Sequence, residues 1–195
     1  MSDGRYVNFA TFKAQLRIDD VLDDGVLELA LAAAEDQIDQ HCRRGADGSA
    51  RPFTLDAEPS ARVYRTSGRR HLDVDDVVQV DEVAVRSGSD WLPVDVDDLE
   101  PLNAEADGRP YTSLTLAQPT VGRVRVTGVF GWPDVPDVVR QASLLQASRL
   151  AQRRNAAFGI ATVPGLEGGG MRLLSKLDAD VELLLKNVRR MPVLV

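Results

Sequence analysis

The spacing of apolar residues changes character twice along the chain, from helical to strand-like and back. Phe9, Phe12 and Leu16 recur at helical spacing and predict a short helix from about Ala10 to Arg17. Asp19, Asp20, Asp23 and Asp24 follow, residue types that cap a helix and suit its positive end. Leu27, Ala30, Leu31, Ala34, Ile38 and Cys42 then mark one face of a second helix. Glu28, Glu35, Asp36, Asp39 and Arg43 fall off that face, with Asp39 and Arg43 at a favourable i,i+4 spacing. The run Gly45 to Ser49 is read as its end.

From about Ala61 to Phe130 the period shortens. Val77, Val78, Val80, Val83 and Val85 are interleaved with Gln79, Asp81 and Glu82. Ser87-Gly88-Ser89-Asp90 predicts a turn, with Trp91 to Val94 returning as a strand. Leu114 and Leu116, and then Val124 and Val126, alternate with polar residues, whereas Asp95 to Pro110 reads as loop. A long helix is predicted from about Pro136, because proline suits the first helical turn. Its apolar positions are Val138, Val139, Ala142, Leu144, Leu145, Ala147, Leu150 and Ala151. Asn155 to Gly170 reads as a glycine-containing loop. Ser175 to Asp178 resembles a capping box before a last helix with Val181, Leu184, Leu185 and Val188 on one stripe and a Glu182–Lys186 pair. Pro192 stops it and leaves a short apolar tail.

These periods predict helices at both ends of the chain around a β-rich middle, and the fold expected is α+β, a helical bundle formed by N- and C-terminal helices with an inserted β-rich domain. The expected segments are N-terminal helices over 1–50, the insertion over 51–132, C-terminal helices over 133–190 and an extended tail over 191–195. The chain has 195 residues, enough for one domain with a core, and that core rests on aliphatic residues because aromatics are 5%. Cys42 is the only cysteine, so no internal disulfide forms. No apolar run follows Met1 to Arg5 and none is long enough to span a bilayer, so a soluble protein made in a cytoplasm is expected. The net charge of −7 is uneven: nine basic and four acidic residues put 138–195 at +5, leaving 1–137 at −12. Such asymmetry suits association of unlike surfaces, or equally two solvated faces of opposite sign, and the acidic bulk opposes tight sequence-specific duplex recognition.

Candidate chemistry is sparse. The two histidines are His41 and His71, and the adjacent helical positions His41 and Cys42 do not share a face. Cys42 lies on the apolar stripe and reads as a small buried hydrophobe. The spacings for zinc are missing, and Asp73 to Asp76 and Asp95 to Asp98 lack the pattern of a calcium loop. Their alternation with valine places them on exposed strand faces and rims. Gly168-Gly169-Gly170 lacks the Lys-Ser/Thr of a phosphate loop. Arg69-Arg70-His71 and Arg189-Arg190 are short basic clusters without interleaved aromatics. No catalytic residue, metal or cofactor is expected.

The order of three segments resembles the head–tail connector (adaptor) proteins of long-tailed bacteriophages, actinobacterial-phage type. They are Leu16-Arg17-Ile18 followed by aspartates and Leu27 to Cys42; Arg62 to Thr66 with Leu72 to Val77; and Gly131-Trp132-Pro133-Asp134-Val135-Pro136 leading into the long helix. Within that motif Trp132 reads as an apolar corner stiffened by Pro133 and Pro136. The resemblance implies a structural virion protein at the head–tail junction, assembled in the host cytoplasm. It implies a homo-oligomeric ring, expected to be dodecameric, that docks on the portal protein. A stopper or tail-terminator protein would be the next partner, and DNA would pass as non-specific cargo. It also implies a portal interface at Arg189, Arg190, Met191, Pro192, Val193, Leu194 and Val195. The alternatives are a stopper or tail-completion protein, a carboxylate-dependent enzyme, and an acidic protein-binding module of a host cell.

Overall fold

The computed structural model describes residues 4–153 and 177–190. In chain order the elements are α1 (Phe9–Leu16), α2 (Asp24–Cys42), β1 (Ser60–Ser87), β2 (Asp90–Pro93), β3 (Val96–Glu100), β4 (Tyr111–Phe130), α3 (Asp137–Arg153) and α4 (Ala179–Leu185). The fold is α+β. The described residues fall into two compact units, one of 4–42, 136–153 and 177–189, the other of 43–135 with Arg190.

Helices α1 and α2 follow their apolar spacing closely. Asn8 caps α1 by accepting the Ala10 N–H at 2.8 Å, and Arg17 ends it in the left-handed region at φ 58°. Lys13, buried by its neighbours, reaches Asp24 at 2.6 Å and so ties α1 to the start of α2. Leu27, Ala30, Leu31, Ala34, Ile38 and Cys42 form the buried face of α2. The helix stops at Cys42, before the Gly45 turn, because Arg43 itself adopts φ 47°. Helix α3 packs on α2.

The buried stripe of α3 differs from the predicted one. It contains Val139, Ala142, Ser143, Gln146 and Ala147, whereas Leu145 is 36% exposed. Two polar residues are tolerated because both find partners. Ser143 Oγ donates to the Val139 carbonyl at 2.9 Å, and Gln146 Nε2 donates to Gln37 Oε1 at 2.6 Å. Gln146 Oε1 also accepts the Asp178 N–H at 3.3 Å, which links α2, α3 and the start of α4 through one side chain. Asp178 caps α4, accepting the Asp180 N–H at 2.7 Å, and the Arg149 guanidinium pairs with its carboxylate. The predicted Ser175 and Lys176 start, the 155–170 loop and the Pro192 stop lie outside the described residues. Helix α4 is shorter than its stripe suggested, ending at Leu185 with Val188 in the following turn.

The second unit is a curled antiparallel sheet in the order β2-β1-β4-β3. β1 is long enough to flank β4 on both sides. Its first part pairs Arg62 with Val126 and Tyr64 with Val124, and its last part pairs Val83 with Val126 and Val85 with Val124. Register shifts between Asp73 and Val77 and between Val80 and Glu82 mark the bends that permit this. Leu72, Val74, Val77, Val83, Leu114, Leu116, Val124, Val126 and Phe130 fill the curl.

The Ser87–Asp90 turn and the β2 return form as predicted. The loop assigned to 95–110 does not hold throughout, since β3 pairs Val96 with Leu116 and Leu99 with Leu114. Its two apolar residues pack on the core while exposed Asp97 and Asp98 hide the alternation.

Candidate functional site

The Trp132 corner is built around a buried charge pair. Arg44 and Asp76 meet through two bonds, Nε to Oδ2 at 2.7 Å and Nη2 to Oδ1 at 2.6 Å. Trp132 donates its indole N–H to the same Asp76 Oδ2 at 2.8 Å and lies 5.3 Å from the Phe53 ring. The Asp76 carbonyl accepts the Gly131 N–H at 2.8 Å. Gly131 holds φ 112°, and a Cβ there would collide with the Thr54 carbonyl oxygen. Asp75, next along β1, takes Arg62 at 2.6 Å and Arg51 at 3.4 Å. Burial, and then the charge of Asp75, raises the Tyr64 phenol above its ordinary pKa.

Asp75 and Asp76 are therefore not the exposed strand-face carboxylates that the valine alternation suggested. They are 3% and 4% exposed. A buried carboxylate persists where a cation and several donors meet it, and here those donors come from residues far away in sequence. Asp73 is more open and faces His71 at 3.7 Å.

The end of the described chain is fixed by the same unit. Arg190 donates to the carbonyls of Val74 at 2.6 Å, Thr112 at 2.8 Å and Arg44 at 3.2 Å, and lies 3.5 Å from Asp73. Its guanidinium is committed within the fold, whereas Arg189 is exposed. Met191, Pro192, Val193, Leu194 and Val195 lie outside the described residues.

In the helical unit, the start of the chain is clasped to α2. Glu35 accepts the Arg5 N–H at 2.9 Å and the Tyr6 N–H at 2.8 Å. Asp39 binds the Arg5 guanidinium and the Tyr6 hydroxyl, and Arg5 also reaches Asp36 at 3.0 Å. The expected partner Arg43 is replaced by Arg5 because Asp39 points into the fold, where it is 5% exposed. Burial raises the Asp39 carboxyl to about 6, against the pull of the Tyr6 hydroxyl and Arg5.

Among the described residues, no group of three or more His, Cys, Asp or Glu side chains could hold a metal ion, and no helix is long and apolar enough to cross a membrane. Cys42 is fully buried. Two open grooves mark the β unit. One, of about 530 Å³, is acidic, with Asp81, Glu82, Asp95, Asp97 and Asp98 among its walls. The other, of about 720 Å³, has Arg51, Arg65, Arg69 and His71 beside Asp47, Asp73 and Asp75.

The sequence matches no protein-family model and no curated protein. The fold is nevertheless shared with a solved chain from the neck of an empty gene transfer agent particle, computed with C6 symmetry. The match covers 100% of this chain and 95% of that one, with a TM-score of 0.53 and 20% sequence identity.

Proposed function

We propose that this chain is a structural neck protein of a phage-like particle, the head-to-tail adaptor whose ring docks on the portal. The observation that carries the reading is the end-to-end match of its fold to a neck chain. The order of sequence segments noted above supports it independently. In this reading the helices of 1–50 and 133–190 form a bundle with 51–132 inserted.

A ring is supported by the C6 symmetry of the neighbour's neck, a symmetry that six or twelve copies satisfy equally. Twelve is the number proposed here. The segment Arg189 to Val195 is proposed to reach the portal, with one refinement: Arg190 serves as the fixed point from which the tail departs. Residues 191–195 then supply apolar contacts to the portal. The other face meets a stopper or tail-terminator protein, and the genome passes through the lumen. The helices that bracket the sheet favour the adaptor over a more purely β stopper.

Mixing the purified chain with its portal tests this reading. A ring on the portal, seen by negative-stain imaging, is expected, and binding only to tail ends would assign the chain to a stopper role instead.

A further inference from the structure

The β unit carries a like-charged pair that its own fold leaves unneutralised. Arg65 of β1 and Arg123 of β4 are direct register partners. Side chains of such partners project to one face with Cβ atoms about 5 Å apart, and like charges placed there weaken the sheet. Both residues are exposed, as is Arg69 beyond the irregularity at Gly68. Among the described residues, Arg65, Arg69 and Arg123 form no ion pair. Other arginines of the same strands do: Arg62 with Asp75 and Asp56, Arg70 with Asp97, and Arg125 with Glu82.

The adjoining groove, about 720 Å³, is lined by Arg51, Arg65, Arg69 and His71. Two of its three carboxylates are paired within the fold, Asp73 with Arg190 at 3.5 Å and Asp75 with Arg62 at 2.6 Å and Arg51 at 3.4 Å, whereas Asp47 accepts the Ser49 N–H at 2.9 Å and keeps its charge. The positive charge without an ion pair, that of Arg65, Arg69 and Arg123, is thus concentrated on one ribbon within a segment, 1–137, whose net charge is −12. Composition alone would place acids there.

We infer that this face binds the phosphodiester backbone of duplex nucleic acid without reading its sequence. Opposed guanidiniums are relieved together by a ligand whose own charges are closely spaced, and a duplex presents one charge about every 1.7 Å of its axis. Arginine forks also match phosphate geometry. Single strands are disfavoured because stacking platforms are wanting: Tyr64, the one Phe, Tyr or Trp side chain lining the groove, is half-buried and accepts the Asp75 N–H at 3.2 Å through its hydroxyl. The inference rests on the neck reading for the identity of the duplex, the genome in transit.

The test uses the purified full-length protein and a fluorescent random-sequence DNA duplex, read by anisotropy across a salt titration. If Arg65, Arg69 and Arg123 each meet a phosphate, affinity falls roughly 40-fold between about 50 and about 200 mM salt. Arg65→Glu is expected to weaken binding at least tenfold at low salt. The same change is expected to raise the thermal unfolding midpoint, because it sets a carboxylate opposite Arg123. Arg140→Glu, at an exposed position of α3, is expected to leave the affinity unchanged. The inference is overturned if the protein ignores duplex at low salt, or if Arg65→Glu leaves affinity unchanged. It is also overturned if polyglutamate competes as well as duplex at equal charge, which would assign the face to an acidic protein. Ring formation on the portal is scored separately. A variant that loses DNA but still forms rings leaves the neck reading standing, and a wild type that binds DNA but never forms rings removes it.

Discussion

Trp132 donates its indole N–H to Oδ2 of Asp76 at 2.8 Å, across 56 positions of sequence. The bond joins the corner before α3 to the middle of β1, and Arg44 completes it from the other side of the carboxylate. Removing the carboxylate with Asp76→Ala strands the buried Arg44 guanidinium and is expected to cost about 3–5 kcal/mol. Trp132→Phe keeps an aromatic ring beside Phe53 but loses the N–H bond and part of the buried indole that Arg44 covers, so about 2–3 kcal/mol is expected. Urea denaturation of the two variants measures the difference, and equal losses would contradict the arrangement.

Gly131 supports the same corner through its backbone. At φ 112°, with the Thr54 carbonyl oxygen where a Cβ would stand, it has no room for a side chain. Gly131→Ala is expected to destabilise by about 3 kcal/mol or more, combining the strained φ with the clash. Gly48→Ala serves as the comparison, since its φ is also positive at 77° but nothing lies within 4 Å of its Cβ position. A smaller loss, about 1 kcal/mol, is expected there.

Asp39 gives the helical unit a pH dependence of definite sign. Its folded pKa, about 6, lies above the ordinary 3.8, so the folded state holds this proton more tightly than the unfolded chain. The contribution to stability is fully present below pH 3.8 and is lost as pH rises through about 6. Tyr6→Phe removes a donor that favours the charged carboxylate and is expected to raise this pKa further. Side-chain carbonyl NMR shifts of Asp39 in both proteins, followed across the titration, check the value and the direction. A titration near 4 in the wild type would contradict it.

Arg190 and Arg189 are adjacent in sequence but are expected to behave differently. Arg190→Ala leaves the Val74 and Thr112 carbonyls without their donor and is expected to cost about 2 kcal/mol, while also weakening portal binding. Arg189→Ala, exposed, is expected to change stability by less than about 0.5 kcal/mol. Thermal unfolding and portal pull-down on the two variants separate them.

Local pattern made much of this fold legible in the sequence. The face of α2, the turn at Ser87 to Asp90 and the start of α3 beside Pro136 each depend on neighbours within a few positions. What stayed hidden depends on distant partners. Gln146 is fully buried because Gln37 and Asp178 satisfy its amide, which no helical period reveals. Asp75 and Asp76 look like rim carboxylates until Arg44, Arg51 and Arg62 are brought to them. The Arg65–Arg123 pair needs a strand register, since 58 residues separate its members. A signal was nonetheless available in Val124 and Val126, whose flanking Arg123 and Arg125 marked a basic strand face.

The central claim is that this chain closes into a ring on a portal. Mass photometry of the full-length protein, alone and mixed with purified portal, tests it most directly. Twelve added copies per portal ring are predicted, with a free subunit that is permitted to be monomeric. A mixture whose masses remain those of the separate components, at concentrations where portal rings are intact, would contradict the account.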